Sequence, residues 1–146
     1  MNDPEIVMIG LGYIGLPTAA LIASNSVYVH GVDINQKVVE TINQGKVHIV
    51  EPELDYAVAN SVKEGYLKAS GTPVEASTYI IVVPTPFKAK NEPDTSYVEA
   101  ATRGLLQLFK AGDLYIIEST SPVGTTEKMM SLIYRERPEL KDKLHI

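Results

Sequence analysis

Three glycines, Gly10, Gly12 and Gly15, stand directly behind the apolar run Ile6–Ile9 and ahead of the alanine- and leucine-rich stretch Leu16–Ser24. Between a strand and a helix, the spacing G-x-G-x-x-G has a defined chemical use. The first glycine makes a tight turn, the second lets bare backbone approach a pyrophosphate, and the third lets helix and strand pack closely. The helix start offers unpaired N–H groups and a partial positive charge to the phosphates. About 20 residues farther on, a second apolar run, Val27–Val32, is followed by Asp33. An acid there accepts hydrogen bonds from an adenosine ribose, and its charge repels a 2′-phosphate. No arginine stands beside Asp33 to reverse that preference. The set therefore points to NAD rather than NADP. The glycines could instead serve a plain turn, and Asp33 could merely cap the next helix. S-adenosylmethionine-dependent methyltransferases also pair a glycine-rich first loop with an acid after the second strand. The coincidence of strand, spacing, helix and acid favours the dinucleotide.

Two further segments have the character of ligand loops. Pro84-Thr85-Pro86 follows the apolar run Tyr79–Val83, and Glu118-Ser119-Thr120-Ser121-Pro122-Val123-Gly124 follows Leu114–Ile117. Both are stiff and rich in hydroxyls, able to set hydroxyls and amides against a nicotinamide and its ribose. Thr125 and Thr126 open the next helix, and for each of these threonines a turn or cap is an equal reading. His30 lies inside a strand, and His48 and His145 lack a partner at metal-ligand spacing, so no metal site is assigned. Tyr97 and the methionines read as core. Glu51 and Glu53, flanking Pro52, read as solvated.

The elements that must hold these residues alternate. The four apolar runs are continuous, rich in Val and Ile, and suited to strands covered on both faces of a parallel sheet. Leu67–Ala69 is a weaker fifth strand. Helices are expected over Leu16–Ser24, over Gln36–Gln44 behind an Asn35 cap, along the Leu54/Val58/Val62 repeat, and around Met129, Leu132 and Ile133 up to Pro138. Ser96 and Glu99 fit a capping box, followed by a stripe of Tyr97, Ala101, Gly104, Leu105 and Leu108 and a stop at Gly112. Lys88–Pro93 reads as a loop with linker character, and Leu144–Ile146 as the opening of another strand. The fold class is α/β: a doubly wound parallel sheet of Rossmann type.

The totals suit that reading. The chain has 146 residues, one domain's worth, with 45% apolar and 21% charged residues and a net charge of −5. The charge argues against a nucleic-acid or membrane partner. Cysteine is absent, so a disulfide and a thiol nucleophile are excluded on this chain. The start, MNDPEIVM, lacks the pattern of a secretory signal, and a cytoplasmic protein is expected.

The segments GLGYIGLPTAA, GVDINQ, HIVEPEL, VPTPFK, EPDTSYVEAA and ESTSPVGTTEKM together resemble the N-terminal domain of the UDP-glucose/GDP-mannose dehydrogenase family. The resemblance covers essentially the whole chain, and VPTPFK and STSPVG are more specific than the glycine loop. It implies a UDP-sugar substrate whose C6 alcohol is oxidised twice, with two NAD, to a uronic acid for bacterial surface polysaccharide. UDP-N-acetyl-D-mannosamine is the expected sugar, and UDP-N-acetylglucosamine or UDP-glucose the alternative. It also implies NAD contacts at Tyr13, Ile14, Asp33, Thr85 and Thr126, and a place for Thr120 near the reacting centre, positioning catalytic water. The family passes its second oxidation through a thioester on a cysteine, which this chain cannot form. That cysteine, the catalytic lysine, the substrate domain and the helix used for homodimerisation are expected beyond residue 146. Residues 1–146 are thus expected to be one NAD-binding domain, the N-terminal piece of a longer dehydrogenase. A nucleotide-sensing module without chemistry is the reading from another class.

Overall fold

A computed structural model describes residues 3–146; Met1 and Asn2 of the MNDPEIVM segment lie outside the described residues. Five four-residue strands form one parallel sheet: β1 (Ile6–Ile9), β2 (Val29–Val32), β3 (Leu67–Ser70), β4 (Thr78–Ile81) and β5 (Leu114–Ile117). Their order is β3-β2-β1-β4-β5, and β1 pairs in register with both β2 and β4, Met8 lying opposite Gly31 and Ile80. The order reverses between β1 and β4, so a crevice opens there beyond the strands' carboxyl ends.

Alternation along each strand sends side chains to two cores. Met8, Val29, Leu67 and Ile80 pack under α1 (Gly15–Ala23), α2 (Gln36–Asn43) and α3 (Leu54–Lys63). Val7, Ile9, Tyr79, Ile81 and Tyr115 pack under α4 (Ser96–Leu105) and α5 (Thr125–Glu136). The weak strand candidate is real: Leu67 and Ala69 are buried while Lys68 between them is exposed. From β3 to β4 the chain returns without a helix, as a segment whose Val74 and Ala76 pack on the second core. Asn35 caps α2 as expected, accepting from the Lys37 N–H at 3.1 Å. At the far edge, His145 forms a parallel bridge with Leu114, so the segment from Leu144 does begin to pair beside β5. Among the described residues, no helix is long and apolar enough to cross a membrane.

Four expectations need correction. β2 begins at Val29, because Val27 and Tyr28 precede the first ladder position. The capping box at α4 does not form: Asp94 Oδ1 accepts the Ser96 N–H at 2.9 Å, and Glu99 turns to Arg103 and Lys128. Lys88–Pro93 is a closed turn, with Phe87 bridged to Pro93 and Lys88 paired with Asp94. The stripe on α4 belongs to two faces: Val98, Thr102 and Leu105 are buried, whereas Tyr97 is 46% exposed. The stripe combined 3- and 4-residue steps that the true helix splits between core and crevice.

The second core contains polar links as well as apolar packing: the Tyr79 hydroxyl accepts from the Ala76 N–H at 3.0 Å and donates to the Leu108 carbonyl at 3.4 Å. Phe109 meets Tyr79 and Tyr115 edge-on at centroid distances of 5.2 and 5.7 Å. Thr102 donates its hydroxyl proton to the Val98 carbonyl at 2.7 Å, so it accepts from the Tyr115 hydroxyl at 2.6 Å. Burial pushes the Tyr115 hydroxyl up to about 12 from an ordinary 10.0. Thr102→Val is expected to cost about 1–3 kcal/mol, because it strands the Tyr115 hydroxyl, and Tyr115→Phe in the same chain should restore most of that; urea unfolding checks both. The unfolded chain loses the Tyr115 proton near pH 10 and the folded chain only near 12, so the unfolded state binds fewer protons in between. Stability should therefore fall as pH rises through that window, and Tyr115→Phe should flatten this part of the slope.

Candidate dinucleotide site

The crevice at the reversal encloses about 740 Å³, within the range of small-molecule sites. Its floor is the glycine turn after β1. One wall is the end of β2 with Asp33, Ile34, Gly71 and Pro73; the other is the ends of β4 and β5 with a face of α4.

Each glycine of the turn has a separate reason. Gly10 has φ +102°, and a Cβ there would sit 2.3 Å from the Val82 carbonyl oxygen of the strand-end beside it. A Cβ on Gly15 would fall 1.9 Å from the Gly10 carbonyl oxygen. These two glycines let β1, β4 and α1 converge. Gly12 differs: a Cβ there meets nothing within 4 Å, and its φ is not in the left-handed region. The protein itself makes no demand for glycine at this position, which faces the crevice. Among the described residues, none accepts a hydrogen bond from the N–H groups of Gly12, Tyr13, Ile14 or Gly15. Those of Gly12, Tyr13 and Ile14 line the crevice at a helix start, an arrangement that fits an anion.

Asp33 reaches back to this turn. Its Oδ2 accepts from the Leu11 N–H at 3.1 Å and its Oδ1 from the Asn35 N–H at 2.8 Å. The half-buried carboxylate thus lines the crevice, ties β2's end to the glycine turn, and retains lone pairs for a ligand. Leu11, fully buried, anchors the turn from below. It rests on Gly31, where a Cβ would come within 2.8 Å of both Leu11 methyl carbons.

The β4 and β5 loops are stitched together. Thr85 donates its hydroxyl to the Thr120 carbonyl, and Ser119 donates to the Val83 carbonyl at 2.9 Å. The Thr85 proton is therefore spent, and the hydroxyl presents lone pairs to the crevice. Of the residues singled out from the sequence, Gly10, Gly12, Tyr13, Ile14, Asp33, Thr85 and Thr120 share this lining. Gly15 lies beneath it as a packing position. Thr126 is exposed at the start of α5, outside the lining, while Thr125 is buried and bonded to the Pro122 carbonyl at 2.8 Å. Sequence reasoning missed Ile34, Gly71, Pro73 and the Tyr97, Ala100, Ala101 and Gly104 face of α4. The α4 positions follow steps of 3 and 4, a signal that reads equally as core. Tyr97, expected inside, is a crevice residue. His30 is buried as expected, its Nε2 2.7 Å from Ser70 Oγ, and burial holds its pKa low.

A parallel sheet wound in this order, with free N–H groups on a glycine turn and an acid after the second strand, defines a Rossmann-type dinucleotide-binding domain. The chain belongs to the UDP-glucose/GDP-mannose dehydrogenase family, whose NAD binding domain matches residues 4–146. NAD is accordingly its cofactor. A UDP-N-acetyl-D-mannosamine dehydrogenase of Escherichia coli (strain K12) is 56% identical over 140 residues, covering 96% of this chain and 33% of the relative. An NDP-N-acetyl-D-galactosaminuronic acid dehydrogenase of Ralstonia nicotianae is 53% identical over 135 residues, covering 92% and 32%. The solved UDP-N-acetyl-mannosamine dehydrogenase of Staphylococcus aureus superposes with a TM-score of 0.87 at 35% identity, over 91% of this chain and 33% of that one. The chain thus spans about a third of the length of these relatives.

Gly31→Ala should displace Leu11 and with it the glycine turn. The expected loss is about 1–3 kcal/mol of stability, as for other overpacked sites, together with weaker NAD binding. Denaturant unfolding and calorimetric titration measure the two effects.

Proposed function

We propose that this chain is the NAD-binding part of a UDP-N-acetyl-D-mannosamine 6-dehydrogenase, which converts the sugar's C6 alcohol to a carboxylate with two NAD. The observation that carries the cofactor geometry is the bare turn: the free N–H groups of Gly12, Tyr13 and Ile14 line the crevice, and no protein contact requires glycine at position 12. The 56% identity to a UDP-N-acetyl-D-mannosamine dehydrogenase supports the sugar. The 53% identity to the Ralstonia protein supports a second reading, another nucleotide-linked N-acetylhexosamine. Turnover of each nucleotide sugar by the full-length enzyme separates the two.

When bound, NAD accepts the hydride from the sugar carbon. The residues of this chain orient and neutralise. Gly12, Tyr13 and Ile14 meet the pyrophosphate with backbone N–H groups, and the α1 dipole adds to their pull. Asp33 accepts the adenosine ribose hydroxyls. Ile34, next to Asp33, bounds the space left for the purine. The Thr85 hydroxyl accepts from the nicotinamide side, and Thr120 positions the water that the second oxidation consumes. In the same reading, Thr126 contributes from the start of α5 once the site closes. The longer protein acts in the cytoplasm as a homodimer, and residues 1–146 form its single NAD-binding domain.

NAD should raise the melting temperature of this chain, in proportion to the logarithm of its concentration above Kd, and NADP far less. Equal shifts would remove the role given to Asp33, and a shift with S-adenosylmethionine in place of NAD would remove the whole reading. Gly12→Val should leave the unliganded melting temperature nearly unchanged, because a Cβ there meets no protein atom within 4 Å, and should abolish the NAD shift. A variant that folds and binds NAD normally would refute the close backbone approach.

A further inference from the structure

The crevice is lined by two carboxylates, Asp33 and Glu118, and by no lysine, arginine or histidine among the described residues. Asp33 has its work on the β2 side. Glu118 stands on the opposite side of the glycine turn, directly after β5, where its N–H donates to the Ile81 carbonyl at 2.9 Å. It is exposed, and among the described residues its carboxylate joins no ion pair or hydrogen bond. Nothing in the packing calls for a charge there.

The strand order sets the direction of the ligand. With the adenosine ribose at Asp33 and the phosphates on the turn after β1, the remaining nucleoside runs over β4 and β5. Its nicotinamide ring then shares the end of the crevice that Glu118 lines. That ring is a cation when oxidised and neutral once it carries the hydride, so a fixed carboxylate nearby attracts one form and not the other. We infer that Glu118 is a selectivity residue that favours NAD over NADH in the crevice. The inference rests on the proposed function. It also suits a reaction that needs two NAD in succession, since the spent cofactor must leave before the second binds.

The test is titration of this chain with NAD and with NADH, in the wild type and in Glu118→Gln. The Kd ratio of NADH to NAD should fall about three- to tenfold in the variant, as removal of one charge at partly exposed range implies. The change should come from weaker NAD binding and shrink in about 1 M salt, where the screening length falls to about 3 Å. Glu118→Asp should keep most of the wild-type ratio. An unchanged ratio, or equal weakening of both forms, overturns the inference while the functional reading stands. Failure of the wild type to bind either form overturns both.

Discussion

The closeness of three backbones at one point governs this molecule. The end of β1, the end of β4 and the start of α1 converge at Gly10, Val82 and Gly15, at separations that leave no space for a Cβ on either glycine. The Gly10 N–H donates to the Val32 carbonyl at 2.8 Å, and the Val82 N–H to the Ile9 carbonyl at the same distance. The chain leaving β1 is thereby held by both neighbouring strands before it turns. Because α1 starts so close to the sheet, its free N–H groups face the crevice directly, and Gly12 lies against open space. The cost of ordering glycine is borne where no other residue fits.

Around that point the structure uses few charges. A pyrophosphate normally attracts cations, yet the lining offers backbone dipoles and two acids. The acid at Asp33 acts in two directions, gripping the Leu11 and Asn35 N–H groups while facing the ligand space. The glycine turn and the ribose acceptor are therefore one mechanical unit. Leu11 joins its buried side chain to the same unit through the notch at Gly31. Across the crevice, the Thr85–Thr120 and Ser119–Val83 bonds make the β4 and β5 loops a second unit. The crevice is bounded by these two units, and a face of α4 completes the wall on the β4 and β5 side.

The two cores differ in the way such a site requires. Under α1 and α3 the buried side chains include no aromatic ring among the described residues, and Ala19, Ala20 and Ala23 allow α1 to lie close to the sheet. Under α4 and α5 the core sets Tyr79, Phe109 and Tyr115 among aliphatic side chains, with hydrogen bonds at the Tyr79 and Tyr115 hydroxyls. Close packing on the first face sets the height of the glycine turn above the sheet. On the second face, Phe109 and Tyr79 fill the volume behind α4, leaving its other side free for the crevice.

Local chemistry was enough to read much of this from the residues in order. Continuous Val and Ile runs marked the strands, the glycine spacing marked the turn, and Asp33 was legible because its offset from the turn is set by one βαβ unit. Asn35 and Pro138 marked boundaries by backbone chemistry that acts within a few residues. What depended on distant chain did not show. Gly31 is ordinary in a strand until Leu11 is seen above it, 20 positions away in sequence. Tyr97 looked like core because a helix with two apolar faces gives one blended stripe, and only the placement of α4 beside the reversal decides which face meets the crevice. Ser96 and Glu99 had the pattern of a cap, but the nearby Asp94 and Arg103 took the same groups locally, and only the Lys128 partner of Glu99 came from distant chain. Sequence by itself determined the motif, the strand and helix order and the cofactor class, since these follow from interactions between near neighbours. Tertiary structure decided which hydroxyls are already spent, which carboxylate stands free, and which glycines serve the fold rather than the ligand, because each of those depends on atoms that only folding brings together.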